Sequence, residues 1–117
     1  MMARMRPYVL ALAVIVSLAG FARESFGDND APAPAQTYRR YCISCHGSDG
    51  KGKTSKGRFS HARDLTDAQW HEDVSDERIF NSIMNGRDVS GNMPAFAKKM
   101  NEKEVESLVT FVRGLKG

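Results

Sequence analysis

The sequence predicts an all-α domain of three to four short helices joined by long loops. Apolar residues recur every three to four positions in the segments 35–46, 75–85 and 101–115, which is the spacing of one helix face. Polar stretches rich in glycine separate these segments and favour loops. No stretch alternates apolar and polar residues in the way of a half-buried strand, so the periodicity predicts helices alone.

The first 27 residues have the pattern of a secretory signal. Arg4 and Arg6 precede an uncharged run from 8 to 22, which as a helix would span about 22 Å, less than the roughly 30 Å hydrocarbon core of a membrane. Small residues at the end of the run offer cleavage near position 22 or 27. We therefore expect a removed signal and a periplasmic domain, with an uncleaved N-terminal membrane anchor as the alternative.

Residues 28–34 are polar and interrupted by prolines, which predicts a flexible lead-in to one domain at 35–117. Without residues 1–27 the chain keeps 14 of its 17 basic and 13 of its 14 acidic residues, a net charge of +1. A charge this small removes the electrostatic argument for nucleic-acid binding. A domain of this size also buries only a modest share of its surface, so it often needs a metal or a disulfide to be stable.

The first predicted helix, 35–46, contains both cysteines of the chain. Its residues Tyr38, Tyr41, Cys42 and Cys45 are related by spacings of three and four. The next stretch, 47–58, contains four glycines and several lysines and predicts a loop. A short helix is then predicted in the segment 64–70, with Thr66 as its N-cap.

Two firmer helices follow. Ser75 is a good N-cap for the first, and Gly86 can end it with a positive φ. Asn101 and Glu104 predict a capping box at the start of the second. The expected buried faces are Ile79, Phe80, Ile83 and Met84 in the first helix and Val105, Leu108, Val109, Val112 and Leu115 in the second.

The motif Cys42-Ile43-Ser44-Cys45-His46 carries the chemistry of the chain. On a helix both thiols and the imidazole project toward one object. Thioredoxin-type dithiol chemistry needs a βαβ context and a thiol at a helix N-terminus, neither of which the sequence provides. A closed zinc site needs four ligands, and the spacings of His61 and His71 match no zinc pattern. The motif is that of haem c attachment, in which both thiols bond the porphyrin and the imidazole binds its iron.

The second axial ligand of such an iron has to come from elsewhere in the chain. Met84 and Met100 fit core packing, and His61 and His71 fit solvated or capping positions. Met93 stands in a loop directly before Pro94, which keeps its backbone extended. The sequence therefore favours Met93, and a thioether ligand raises the reduction potential relative to a second histidine.

Six segments together resemble a class I c-type cytochrome of the small bacterial monohaem kind. They are YRRYCISCHG, DGKG, ARDLTDAQW, SDERIFNSIMNG, NMPAF and NEKEVESLVTFVRGL, and the resemblance covers residues 35–116. It implies a cytochrome c-like fold wrapped around one haem that is covalently attached at Cys42 and Cys45. It also implies His46 and Met93 as the axial iron ligands.

The resemblance also implies contacts in the fold. Tyr38 and Phe111 fall where aromatic residues meet at the crossing of the first and last helices, and Trp70 falls near the haem propionates. Two features depart from the family. The segment KGRFSHARDL lacks the usual proline, which leaves the hydrogen-bond acceptor of His46 unassigned. Pro34 and Ala35 stand where the family has a glycine at the helix crossing.

We therefore expect a single-electron carrier and not an enzyme, with redox proteins as partners and no small-molecule substrate. Membrane-bound oxidoreductases are among the candidate partners. The lysines expected to surround an exposed haem edge and to face acidic partner surfaces are Lys51, Lys53, Lys56, Lys98 and Lys99. The alternatives are a haem enzyme or gas-binding sensor with an open sixth iron position, a haem subunit of a larger oxidoreductase complex, and haem-free dithiol exchange.

Overall fold

A computed structural model describes residues 32–89 and 91–117 of the chain. The predicted signal at 1–27 and most of the predicted lead-in lie outside the described residues. The described part contains six helices, α1 Pro34–Tyr41, α2 Ile43–His46, α3 Ser55–Phe59, α4 Ala68–Asp73, α5 Asp76–Asn85 and α6 Glu102–Arg113. Its β pairing is limited to one isolated bridge between Arg87 and Met93. The all-α prediction is confirmed.

The predicted first helix is present but divided at Cys42. The backbone there has φ −113° and ψ −32°, so α1 ends at Tyr41 and α2 begins at Ile43. Hydrogen bonds still run from the amide of Cys42 to the carbonyl of Tyr38 and from the amide of His46 to the carbonyl of Cys42. The interruption is therefore local, and both cysteines and His46 stay on one short stretch of helical backbone.

Helix α3 corrects the prediction of an uninterrupted loop at 47–58. Thr54 caps it by accepting a hydrogen bond from the amide of Gly57 at 2.8 Å, and the same hydroxyl donates to the carbonyls of Ser44 and Cys45. Gly57 lies directly against the carbonyl of Cys45, where a Cβ would overlap it. Packing on α2 stabilises this helix, although its glycine gives it low intrinsic propensity.

The N-cap of α4 is Asp67, and the prediction of Thr66 is wrong by one residue. The carboxylate of Asp67 accepts from the amide of Gln69 at 3.0 Å. Thr66 instead donates its amide and hydroxyl to the carboxylate of Asp64, at 2.8 and 2.6 Å. These two hydrogen bonds lower the pKa of Asp64, and they fix the turn that leads into α4.

Both later helices begin as predicted and α5 also ends as predicted, whereas α6 ends at Arg113, two residues before the predicted 115. Ser75 caps α5 by accepting from the amide of Arg78, and Gly86 ends that helix with φ +73°. The capping box of α6 is complete, because Asn101 and Glu104 exchange side-chain to backbone hydrogen bonds of 2.8 and 2.9 Å. Each cap satisfies backbone amides that have no partner within the helix.

The core lies where α1 and α5 pack on α6. Tyr38 of α1 is 2 % exposed and its ring centroid lies 5.0 Å from that of Phe111, which confirms the predicted aromatic contact at the helix crossing. The apolar faces of α5 and α6 are buried as expected, except that Phe80, Met84 and Leu115 are only partly buried. The buried apolar residues are Tyr38, Leu65, Ile79, Ile83, Phe96, Met100, Val105, Leu108, Val109 and Val112.

Arg113 forms an unpredicted clasp between α6 and the connection of α4 to α5. Its guanidinium donates to the carboxylate of Asp76 at 2.7 Å, to the carbonyl of His71 at 2.9 Å and to the carbonyl of Val74. It also lies 3.2 Å from Nδ1 of His71, whose Nε2 is 2.7 Å from the carbonyl of Leu65. His71 is 8 % exposed, so the expectation of a solvated or capping residue is wrong.

Replacement of Arg113 by methionine keeps an apolar stem but removes every bond of the clasp. We expect the free energy of unfolding in urea to fall by about 2–3 kcal/mol, because two partly buried carbonyl groups lose a charged donor. Lys116→Met is the matched control, since its ammonium lies 3.9 Å from the exposed Glu72, and we expect a change below about 0.5 kcal/mol. Equal losses in the two variants would contradict the clasp.

Candidate functional site

Cys42 and Cys45 are half-buried and their thiols are free. Burial raises the pKa of Cys42 to about 11, and the neighbouring Cys45 adds to the shift. The thiol of Cys42 is therefore protonated at neutral pH. A dithiol exchanger attacks with a thiolate, so this environment disfavours Cys42 as the attacking thiol of a redox pair.

His46 presents one ring nitrogen for binding. Its Nδ1 lies 2.9 Å from the carbonyl oxygen of Arg63, which can only accept, so Nδ1 carries the proton and Nε2 is left unprotonated. Burial lowers the pKa of His46 and outweighs the opposing effect of the Arg63 hydrogen bond. A neutral imidazole whose other nitrogen donates to a carbonyl is the form that binds metals.

Arg63 supplies the acceptor that the sequence left unassigned. The segment 47–52 folds back so that the amide of Gly52 donates to the carbonyl of His46 at 2.7 Å. Gly52 has φ +69°, and a Cβ there would lie 2.7 Å from the carbonyl oxygen of Ala62. This close approach places the carbonyl of Arg63 beside His46. Gly52 is the one sequence feature that could have indicated this contact, but the sequence does not show which distant backbone the glycine approaches.

Ser60 links helix α2, which contains Cys45, to the loop that contains Met93. Its hydroxyl lies 3.6 Å from Sγ of Cys45, and its carbonyl accepts from the amide of Asn92 at 3.1 Å. Gly91 approaches the same carbonyl so closely that a Cβ there would lie 2.6 Å from its oxygen. Sequence reasoning missed Ser60, because no local pattern distinguishes it from a loop serine.

The backbone of Met93 is held to the end of α5. Met93 and Arg87 exchange two backbone hydrogen bonds of 2.9 Å each. A Cβ on Gly86 would lie 2.6 Å from the carbonyl oxygen of Met93, so only glycine fits there. The amide of Phe96 also donates to the carbonyl of Ile83 at 2.9 Å. The loop is therefore fixed at both ends, and the half-buried side chain of Met93 packs against the core.

The other candidate ligands have different surroundings. Both ring nitrogens of His71 are engaged, one with the carbonyl of Leu65 and one with Arg113. His61 is exposed and has φ +54°. Met100 is 5 % exposed within the core, and Met84 packs against the core from α5, as expected for packing residues.

The zinc alternative finds no support in residues 32–89 and 91–117. Within them no three side chains of the types His, Cys, Asp and Glu come together as metal ligands.

In the same residues no helix has the length and apolar character needed to cross a membrane.

A family profile described as "Cytochrome C oxidase, cbb3-type, subunit III" matches residues 29–112. The chain belongs to this family of c-type cytochrome domains. It is 31% identical over 114 residues to the Cbb3-type cytochrome c oxidase subunit FixP of Azorhizobium caulinodans, which covers 93% of the chain and 37% of that protein. It is 34% identical over 87 residues to FixP of Rhizobium etli, which covers 74% of the chain and 28% of that protein.

The cytochrome domain thus spans about a third of the length of these curated relatives. Among solved structures it is similar to the KustC0563 c-type cytochrome, with a TM-score of 0.66 and 35% identity over 74% of this chain and all of that one. It is also similar to the c-type cytochrome XoxG from Methylobacterium extorquens AM1, with a TM-score of 0.55 and 25% identity over 70% of this chain and 47% of that one. The predicted resemblance is confirmed.

A c-type cytochrome domain binds haem c covalently, and the residues of this cytochrome domain fit that group. Two free thiols stand on one helical stretch with a neutral imidazole whose Nε2 has no proton. Ile43, which lies between the two cysteines, is half-buried and packs against the core. The single attachment motif in a domain of this size agrees with one haem.

Gly86→Ala tests how tightly the Met93 loop is held. A Cβ at φ +73° and 2.6 Å from the carbonyl oxygen of Met93 forces the loop or the helix end to move. We expect the free energy of unfolding to fall by about 1–3 kcal/mol. Gly114→Ala is the control because its φ of −69° suits any residue. An unchanged free energy of unfolding in Gly86→Ala would show that the loop is not fixed at this point.

Proposed function

We propose that the cytochrome domain is a periplasmic single-electron carrier. In this proposal Cys42 and Cys45 bond the haem, and His46 and Met93 are the axial ligands of its iron. One observation carries the assignment: His46 follows the two free thiols and points its Nδ1 proton at the carbonyl of Arg63, which leaves Nε2 for the metal. The haem, once attached, supplies reversible one-electron oxidation and reduction.

The surroundings of the two axial residues suit electron transfer better than catalysis. His46 is oriented by the carbonyl of Arg63, and Met93 is fixed through Arg87 and Gly86. Ligands on a fixed backbone move little when the charge of the iron changes. If His46 and Met93 both bind the iron as proposed, no ligand position would remain for a substrate or a gas, which disfavours the haem enzyme and the sensor.

A second candidate is a haem subunit of a larger oxidoreductase complex. It is favoured by the similarity to FixP proteins, which are named as subunits of Cbb3-type cytochrome c oxidase. The electron-transfer role of the domain is the same in both candidates. They differ in whether it diffuses between partners or stays attached to one, and an apparent molecular mass from native membranes and periplasm would separate them.

Met93→Ala tests the proposed axial ligand. We expect the reduction potential to fall by on the order of 100 mV, because a thioether ligand raises the potential. The far-red absorption band of sulfur-to-iron ligation should disappear, and carbon monoxide should bind readily to the reduced protein. Redox titration and absorption spectra of the exported protein measure all three.

Met84→Ala is the matched control, since Met84 also packs against the core but lies on α5. We expect this variant to keep the band and the potential. Retention of both in Met93→Ala would assign the iron ligand to another residue. The intact mass of the exported wild type checks two further parts of the proposal, since it reports one covalent haem and the site of signal cleavage.

The charge distribution supports an acidic partner. Residues 32–63 surround the cysteines and contain seven basic residues against one acidic residue, Asp49. Residues 64–86 contain six acidic residues against one basic residue, Arg78. All five lysines predicted for the haem edge are exposed. The positive charge around the cysteines attracts an acidic partner toward that part of the domain, even though the net charge of the domain is small.

Phe59 adds an apolar contact point to the basic surface formed by residues 32–63. Its side chain is 83 % exposed, and it stands next to Ser60, which touches Sγ of Cys45. Lys56 and Arg58 precede it on α3 and are also exposed. An exposed aromatic ring beside the attachment site and within a basic rim suits transient docking of an acidic redox protein.

Reversal of two charges on this face tests the docking proposal. With reduced flavodoxin as the acidic electron donor at low salt, Lys56→Glu with Arg58→Glu should slow bimolecular electron transfer by about tenfold or more. Arg78→Glu with Lys103→Glu changes the net charge equally on α5 and α6 and should have a much smaller effect. Reduction by ascorbate and the potential should stay unchanged in both. Equal slowing by the two pairs would mean that net charge alone acts.

A further inference from the structure

We propose that Tyr38 is a positioning residue for the iron-binding imidazole. The hydroxyl of Tyr38 holds the loop 47–52, and this loop sets how strongly His46 donates electrons to the iron. The inference rests on the proposed ligation by His46. Its three steps are the anchor of the loop at Gly47, the contact of the loop with Arg63, and the hydrogen bond from His46 to Arg63.

Tyr38 anchors the beginning of the loop. Its hydroxyl donates to the carbonyl of Gly47 at 2.7 Å, and the residue is 2 % exposed. Burial, with smaller contributions from Cys42 and Asp49, raises the pKa of Tyr38 to about 12, so the hydroxyl stays protonated and able to donate. Aromatic packing against Phe111 does not require this hydroxyl, because phenylalanine would fill the same space.

Gly47 makes the anchor effective because it directly follows His46. Its φ is +80°, so the chain turns sharply out of α2 at this residue. Its carbonyl also accepts from the amide of Gly50 at 3.2 Å. Loss of the tyrosine hydroxyl would leave this buried carbonyl with only the longer of its two hydrogen bonds.

The other end of the loop touches the acceptor of the imidazole. Gly52 donates to the carbonyl of His46, and a Cβ on Gly52 would lie 3.2 Å from the carbonyl oxygen of Arg63. That oxygen is the one 2.9 Å from Nδ1 of His46. The position of the Arg63 carbonyl therefore depends on a loop whose first peptide is held by Tyr38.

The hydrogen bond to Nδ1 affects the metal-binding nitrogen. Donation of the Nδ1 proton to a carbonyl makes Nε2 more basic and a stronger donor to the metal. A stronger donor stabilises the ferric state more than the ferrous state. A looser Arg63 contact therefore raises the reduction potential.

Tyr38→Phe in the mature haem-bearing protein tests the inference. We expect a more positive reduction potential by redox titration and a changed ferric electron paramagnetic resonance spectrum. Tyr41→Phe is the matched control, since Tyr41 lies one residue before Cys42 and packs against Phe96 with centroids 5.9 Å apart. Its hydroxyl donates to no other described residue, so we expect its potential and spectrum to match the wild type.

A lower thermal midpoint in Tyr38→Phe with an unchanged potential and spectrum would overturn the inference and leave Tyr38 a packing residue. An equal shift in Tyr41→Phe would also overturn it. A wild type without low-spin haem would instead refute the proposed function, so the two failures are distinguishable.

A second measurement covers a Tyr38→Phe variant that does not mature. In the Tyr41→Phe background, Tyr38 is the one tyrosine of residues 32–117, and biosynthetic 3-fluorotyrosine makes its hydroxyl more acidic. The stronger donor should shift the potential to more negative values. No shift upon fluorination would contradict the inference without any loss of side-chain volume.

Discussion

The end of α2 imposes the constraint on which the site depends. A helix leaves its last carbonyl groups without partners, and the C-cap of α2 is Gly47, which is buried. The carbonyls of Ser44 and Cys45 accept from the hydroxyl of Thr54, and that of His46 accepts from the amide of Gly52. The chain supplies these donors by folding back over the helix end. The same return brings the carbonyl of Arg63 and the hydroxyl of Ser60 to the motif.

The remaining helices serve as a support for this arrangement. Helix α6 packs against α1 through Phe111 and Tyr38, and it binds the α4–α5 connection through Arg113. Helix α5 ends at Gly86 and carries the Met93 loop. The two proposed iron ligands therefore reside on separate segments, and each segment is tied to a different part of the same helical core. Such a division lets a small domain hold both sides of a cofactor.

Features encoded locally could be predicted from the sequence. The caps at Ser75 and Asn101, the end at Gly86 and the buried stripe of α6 each depend on residues within a few positions of one another. The cysteine motif was equally local, and its family is confirmed by the profile match. The fold class followed from the same periodicities.

Features that depend on distant contacts were missed. Helix α3 exists because Thr54 and Gly57 pack on α2, and its own sequence favours a loop. His71 looks like a solvated histidine until Arg113, 42 positions away, approaches its ring. Threonine is a good capping residue, which favours Thr66 as the cap, but its hydroxyl donates to the carboxylate of Asp64. In the first two cases a tertiary partner decides between options that are locally comparable, and in the third a carboxylate two residues away does.

The Arg87–Met93 bridge has a consequence for how the domain opens. Four backbone hydrogen bonds of this loop end on one turn of α5 or on Arg87, and a fifth joins Asn92 to Ser60, so they can break together while α1 and α6 stay packed. The loop then behaves as one cooperative unit with its own opening free energy, smaller than that of the whole domain. Amide protons at 87, 93, 96 and 97 should exchange with deuterium at a common rate, ahead of those in α6.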